Sequence, residues 1–145
     1  MRSMAPDIIP LAEHHLLALN TRPHTAGVNL KKPEVRKALL VGEGFACTDR
    51  GEVIGAGGII PMWNGVGHGW AILAVPTGVA RLRFATRTVR RHLDENQIWH
   101  RIQTTVCTDF PQGLSWAFHL GFTVEGKHVK YDPEGRDHIC FARVY

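Results

Sequence analysis

Residues 110–126, FPQGLSWAFHLGFTVEG, decide how this chain is read. Pro111 suits the first turn of a helix, where a missing N–H leaves no bond unmade. Leu114, Trp116, Ala117 and Phe118 give that helix apolar faces, and Gly121 supplies a residue that tolerates the left-handed backbone of a helix stop. The chain then runs into TVEGKHVKYD and RDHICFARVY, two strands turned by Pro133-Glu134-Gly135. A small protein therefore ends on a helix followed by a hairpin.

Upstream, WHRIQTTVCT (99–108) is rich in Trp, Ile, Thr and Val and reads as a strand. TGVARLRFATRTVRRHLDEN (77–96) is the strongest helix, with Val79, Leu82, Ala85 or Thr86, Val89 and Leu93 at helical spacing. HGWAILAV (68–75) is a short apolar run and predicts a buried strand. PMWNGVGHG (61–69) reads as a loop around an Asn-Gly turn. GFACTDRGEVIGAGGII (44–60) predicts a hairpin about Asp49-Arg50-Gly51. KPEVRKALLVG predicts a short helix with Pro33 in its first turn and Gly42 beyond its end. TRPHTAGVNLKK (21–32) reads as a loop. PLAEHHLLAL has Leu11, His15, Leu16 and Leu19 at helical spacing, and Asp7–Pro10 carries a weak strand signal. Hairpins imply antiparallel neighbours and a helix between strands allows parallel ones, so an α/β chain with a mixed sheet is expected.

The chain has 145 residues, which predicts a single domain, 1–145. Its 44% hydrophobic and 21% charged content is that of a soluble globular protein. No apolar run nears the roughly 20 residues of a membrane span. The charged and histidine residues among the first apolar positions argue against a secretory signal, so the cytoplasm is the expected location. Cys47, Cys107 and Cys140 fit neither a disulfide framework nor a zinc spacing, and they read as buried free thiols. The nine histidines form no metal-binding spacing, so no metal is expected. The net charge of +4, much of it in RLRFATRTVRRH, favours an anionic partner.

Three stretches resemble the GCN5-related N-acetyltransferase (GNAT) superfamily of acyl-CoA N-acyltransferases. EVIGAGGI resembles its second hairpin. HGWAILAVPTGVARLRFATRTVRRHL resembles its central strand, pyrophosphate loop and following helix. FPQGLSWAFHLGFTVEG resembles its last helix and the LGF step into the final hairpin. The last third also resembles GNAT-like proteins encoded by tailed phages, which would imply a virion-associated location. The superfamily resemblance implies a splayed central sheet and a CoA donor, by default acetyl-CoA. Ala74, Val75, Gly78, Val79, Ala80, Arg81 and Arg83 would then form the cofactor-binding stretch. An anion at that helix N-terminus also makes physical sense, because unpaired N–H groups and the helix dipole meet it there.

The sequence departs from the family at three places. Val75 stands where Gln or Arg is expected, and Arg81 and Arg83 are the nearest replacement charges. Ala117 stands where many members carry a tyrosine acid, with Ser115 and His119 the nearest polar groups. HGWAILAV carries no carboxylate, which leaves His68 as the best base, ahead of Glu52 and Glu43. Positioning of an uncharged amine beside a thioester can itself supply much of the rate. Trp63 and Trp70 are substrate-pocket candidates, with core the alternative for Trp70.

The first expectation is thus an N-acyltransferase acting on a small-molecule or peptide amine, with a homodimer left open. The second is a catalytically silent GNAT-like domain acting as a phage structural or interaction protein, since a fold does not carry its chemistry with it. A nucleic-acid binder using Arg81, Arg83, Arg87, Arg90 and Arg91 ranks third, because no stacking aromatics accompany the arginines.

Overall fold

A computed structural model describes residues 6–25 and 29–145 of the chain. The part of the expected 21–32 loop at residues 26–28 lies outside the described residues, as do residues 1–5. The elements are β1 (Asp7–Pro10), α1 (Glu13–Asn20), α2 (Pro33–Leu39), β2 (Glu43–Asp49), β3 (Glu52–Trp63), β4 (Val66–Leu73), α3 (Val79–Asp94), β5 (Arg101–Cys107), α4 (Pro111–His119), β6 (Thr123–His128) and β7 (His138–Val144). The strands form a mixed sheet in the order β1-β2-β3-β4-β5-β7-β6. The α/β class and the mixed sheet follow the sequence expectation, and the weak signal at Asp7–Pro10 is a strand paired antiparallel with β2.

The chain divides into two compact units. The first takes residues up to Pro61 together with Gly69–Ala85; the second takes Met62–His68 and Thr86–Tyr145.

In the first unit, Leu16, Leu19, Leu30, Leu39, Ala56, Ile72 and Ala74 form the buried cluster. The helical spacing of the leucines in α1 turns one face onto the strands. His15 is buried, and its Nδ1 accepts the Ala12 N–H at 2.9 Å, so this histidine caps its own helix. The Asp49–Glu52 turn has positive φ at both Arg50 and Gly51, which matches a tight hairpin's backbone to the twist of its strands. Cys47 is a buried thiol, and burial pushes it up to about 11.

The second unit holds Ile102, Phe122, Phe141 and Leu120 in its interior. The Asn64-Gly65 turn corrects the sequence reading of residues 61–69 as a loop. β3 runs on to Trp63 and β4 begins at Val66, so only the two turn residues lie outside the strands. Gly65 sits at φ +77, and a Cβ there would lie 2.2 Å from the His100 ring, so the turn admits no side chain. α4 starts on Pro111 and ends before Gly121 at φ +88, as its sequence predicts. Trp116 Nε1 donates to Thr86 Oγ1 at 2.8 Å, which ties α4 to α3.

The β6–β7 connection is organised by Asp132. Its Oδ1 accepts the N–H groups of Glu134 (3.1 Å) and Arg136 (2.8 Å), while Oδ2 accepts Arg136 Nε at 2.7 Å. Burial alone would push this carboxyl up. The bonds from Arg136 N–H, His138 and the Arg136 guanidinium outweigh it and bring it down to about 2. A depressed carboxylate stabilises the fold above its unfolded value and loses that contribution as pH falls through the folded one. The Tm advantage of the wild type over Asp132→Ala should therefore be full near neutral pH. It should shrink from about pH 3.8 downward and close near pH 2, as read by thermal melts across that range. A difference independent of pH would show that the bonds do not favour the ionised form.

Candidate active site

The sequence-predicted cofactor stretch lies in the first unit, at the exit from β4. Ala74 is buried and its N–H donates to Ile54 O at 2.9 Å, which fixes the end of the strand against β3. The Val75–Pro76 peptide is cis. Thr77 Oγ1 donates back to Ala74 O at 2.6 Å and closes the turn. Gly78 follows at φ +83, with open space where a Cβ would stand. The α3 bond nearest its start is Leu82 N–H to Gly78 O at 3.0 Å. The amides of Val79, Ala80 and Arg81 therefore precede the repeating helical bonds. The first turn carries no acidic residue. A left-handed glycine in open space beside orphan amides is a backbone cradle for an anion.

The two arginines assigned to this stretch behave differently. Arg83 is exposed. Arg81 is half-buried, with Nε 2.9 Å from Asp49 Oδ2 and Nη1 3.9 Å from Glu52 Oε1. Glu52 also pairs with Arg22 Nη1 at 2.5 Å. The Arg81 charge is thus largely answered by carboxylates of the β2–β3 turn, and the cradle's own attraction for an anion comes mainly from backbone. These pairs also answer the base question for Glu52: it is held between two guanidinium groups.

The edge of β4 away from β3 is partly occupied. The registered ladder of β4 with β5 covers Val66–His68 against Arg101–Gln103, in the second unit. In the first unit, Leu73 exchanges bonds with Thr25: Leu73 N–H donates to Thr25 Oγ1 and Thr25 N–H to Leu73 O, both at 2.8 Å. Val75 N–H donates to Pro23 O at 2.9 Å, and His24 bridges Ala74. The side-chain charge expected at position 75 is replaced by an exposed valine whose own N–H is already used. Sequence reading missed Pro23 and Thr25 because they lie about fifty residues from their partners in a segment without periodicity.

His68, the predicted base, is half-buried at the end of the β4–β5 ladder, opposite Gln103. Burial lowers its pKa from the ordinary 6.5, so the ring is neutral at pH 7 and can accept a proton. Ser115 is exposed on α4, whereas Ala117 beside it is buried. The position that the family resemblance gives to an acid is therefore a core alanine in this chain. Tyr145 is also spoken for, since its hydroxyl donates to Leu93 O at 2.7 Å. Of the pocket candidates, Trp63 is 65% exposed at the end of β3, in the second unit. Trp70 is partly buried against the first unit's core.

Of the arginines proposed for nucleic acid, Arg81 is tied to Asp49, while Arg90 donates to His119 O at 2.7 Å and lies 3.8 Å from Asp94. They do not form an undivided cationic surface. No helix among the described residues is long and apolar enough to cross a membrane.

The mixed sheet, with its fourth strand leading through a left-handed glycine into α3, has its likeness among solved structures. A chimera of spermidine N-acetyltransferase SpeG from Vibrio cholerae and hSSAT superposes with a TM-score of 0.73 at 17% identity, covering 98% of this chain and 96% of that one. The ribosomal-protein-S5-alanine acetyltransferase from Vibrio fischeri gives 0.69 at 15% identity, covering 99% and 95%. A GNAT-family acetyltransferase from Streptococcus pneumoniae gives 0.70 at 11% identity, covering 97% and 100%. No family model and no curated relative matches the chain. The fold is that of the GNAT acetyltransferases.

Proposed function

We propose that this protein is an acyl-CoA-dependent N-acyltransferase that moves an acetyl group from acetyl-CoA to an amine. The single observation that carries this reading is the cradle at Gly78–Arg81, set at the end of β4 in a GNAT fold. Acetyl-CoA, when bound, supplies an acyl thioester. Backbone amides of Val79, Ala80 and Arg81 would hold its pyrophosphate, with Arg83 adding charge from the helix surface. Residues Ala74 and Val75 lead into that grip, and the β4 edge before Leu73 is left to meet the pantetheine, because Thr25 already occupies Leu73.

His68 acts as base, removing a proton from the acceptor ammonium so that the amine's lone pair is free. Ala117, in the place the resemblance gives to an acid, has no proton to donate, so orientation of the amine beside the thioester would supply much of the acceleration. Ser115, facing solvent, takes no part in this scheme. Some neighbours act on spermidine and others on a protein's alanine, so a polyamine and a peptide with a free amino terminus are the two acceptors to try first.

Isothermal titration with acetyl-CoA tests the donor, and thiol release in the presence of each amine tests the transfer. Saturable heat with amine-dependent thiol release is expected. Heat without release from a broad amine panel would leave a binding scaffold, and neither signal at millimolar donor would sink the reading.

His68 makes a sharper prediction. If it is the base, kcat/KM should rise to a plateau through an acid limb lying below the ordinary imidazole value of 6.5. His68→Gln should cost about a hundredfold and erase that limb, an effect size typical of general-base catalysis. A wild-type-like pH profile in the variant would exclude the role.

A further inference from the structure

The second unit carries a side-chain cluster that the acyl-transfer reading leaves unused. In the ladders of β5, β7 and β6, Cys107 stands opposite His138, and His138 opposite His128. Directly opposed residues share one face of a sheet, so these three form a row across three strands. Phe141, packed edge-to-face on Phe118 of α4, lies three residues beyond His138 and faces the other way. Asp132 approaches the row from the β6–β7 connection. A sulfur from Cys107, a nitrogen from His138 and an oxygen from Asp132 all lie within 4.8 Å of one another.

The hydrogen bonds show which groups have bonding capacity left. His138 Nε2 lies 3.0 Å from Asp132 Oδ2, so the carboxylate holds the proton on that nitrogen. The other ring nitrogen, Nδ1, is buried and has no hydrogen-bond partner among the described residues. In the neutral ring that atom is a bare lone pair, and burying one without a donor or a cation costs free energy. A carboxylate behind a histidine whose second nitrogen is open is the arrangement that supports a metal-ligating imidazole. Asp132 Oδ1 is committed to backbone N–H groups, but Oδ2 is shared only with side chains. One of these, Arg136, already reaches Glu134 at 3.4 Å and has somewhere to move.

We propose that Cys107 and His138, backed by Asp132, bind a zinc-class divalent cation. Thiolate and imidazole donors select borderline ions such as zinc or cobalt over magnesium or calcium, whose preference is oxygen. Binding at the usual metal–ligand distances of about 2.0–2.3 Å would require the Cys107 and His138 side chains to turn so that sulfur and Nδ1 converge on one ion. His128 lies opposite His138 in the ladder, with its ring stacked on Tyr131 at 4.9 Å. The proposal departs from the sequence expectation of no metal. The donors come from the end of β5, the connection and the first residue of β7, and no local spacing motif could signal them.

The test is a cobalt(II) titration of the full chain. One equivalent should produce thiolate-to-cobalt charge-transfer absorption together with the visible bands of a four-coordinate ion. Cys107→Ser and His138→Gln should abolish the sulfur-linked absorption, Cys47→Ser should keep it, and Asp132→Asn should weaken affinity about 10–100-fold. On the wild-type protein, one equivalent of zinc should slow alkylation of Cys107 at least tenfold, read by peptide mass. This second readout does not depend on any variant folding. Absorption that survives Cys107→Ser, or alkylation of Cys107 unchanged by zinc, would overturn the proposal. Neither outcome bears on acetyl-CoA binding, which concerns the other unit.

Discussion

Phe141→Ala should destabilise the protein by about 3–5 kcal/mol, the range for removing a buried phenylalanine ring. Phe141 is fully buried on β7. It stands opposite Thr104 of β5 and Val124 of β6, and the ring of Phe118 meets it edge-on at 5.4 Å. Truncation removes apolar area from contact on three sides. Strands paired on both flanks cannot collapse into the space, so the cavity term adds to the transfer term. For a chain of this size the melting temperature should fall by roughly 10–20 °C. Val124→Ala on the half-exposed edge strand should change stability by less than about 1 kcal/mol. Urea unfolding of both variants checks the contrast. A loss below about 1 kcal/mol at Phe141 would mean that the interior of this unit lies elsewhere.

Gly78→Trp should abolish acetyl-CoA binding, with Kd raised at least a hundredfold, or about 2.8 kcal/mol. Gly78 is at φ +83, so any side chain there carries strain of about 1 kcal/mol or more. Nothing lies within 4 Å of the Cβ position, so the first atom of a side chain there meets no part of the fold. On the proposed reading, an indole beside the first turn of α3 competes with the pyrophosphate for that turn's amides. Gly78→Ala carries the same strain with little bulk and should weaken binding far less. Titration calorimetry compares the three proteins, and melting curves without ligand confirm that each is folded. Wild-type affinity in the tryptophan variant would remove the cradle from the donor site.

The legibility of the fold varied by element for physical reasons. α3 was readable because sixteen residues repeat one apolar spacing, and α4 because Pro111 and Gly121 punctuate it. The turn after Asp49 was readable because Asp and Gly stand between two strand-like runs, whereas the positive φ of Arg50 is set by the hairpin and not by its own preference. The span 61–69 misread as a loop because Pro61 and three glycines suggest irregular chain, while strand pairing overrides such local preference. Within the site, Gly78 and the helix after it announced themselves. The sequestration of Arg81 by Asp49, and the hold of Thr25 on Leu73, did not. Ser115 and Ala117 looked equally placed along the chain, yet one is exposed and the other is core.

The sequence by itself determined the element order, the helix punctuation and the glycine at the head of α3. These depend on torsional preference and on periodicities of a few residues, which any short window displays. Tertiary structure alone decided which charges are already answered, which strand edge is already paired, and which donors share a face. The row of Cys107 and His138 with Asp132 beside it exists only because β5 and β7 are in register, a long-range pairing fixed by burial of Ile102 and Phe141 on the opposite face.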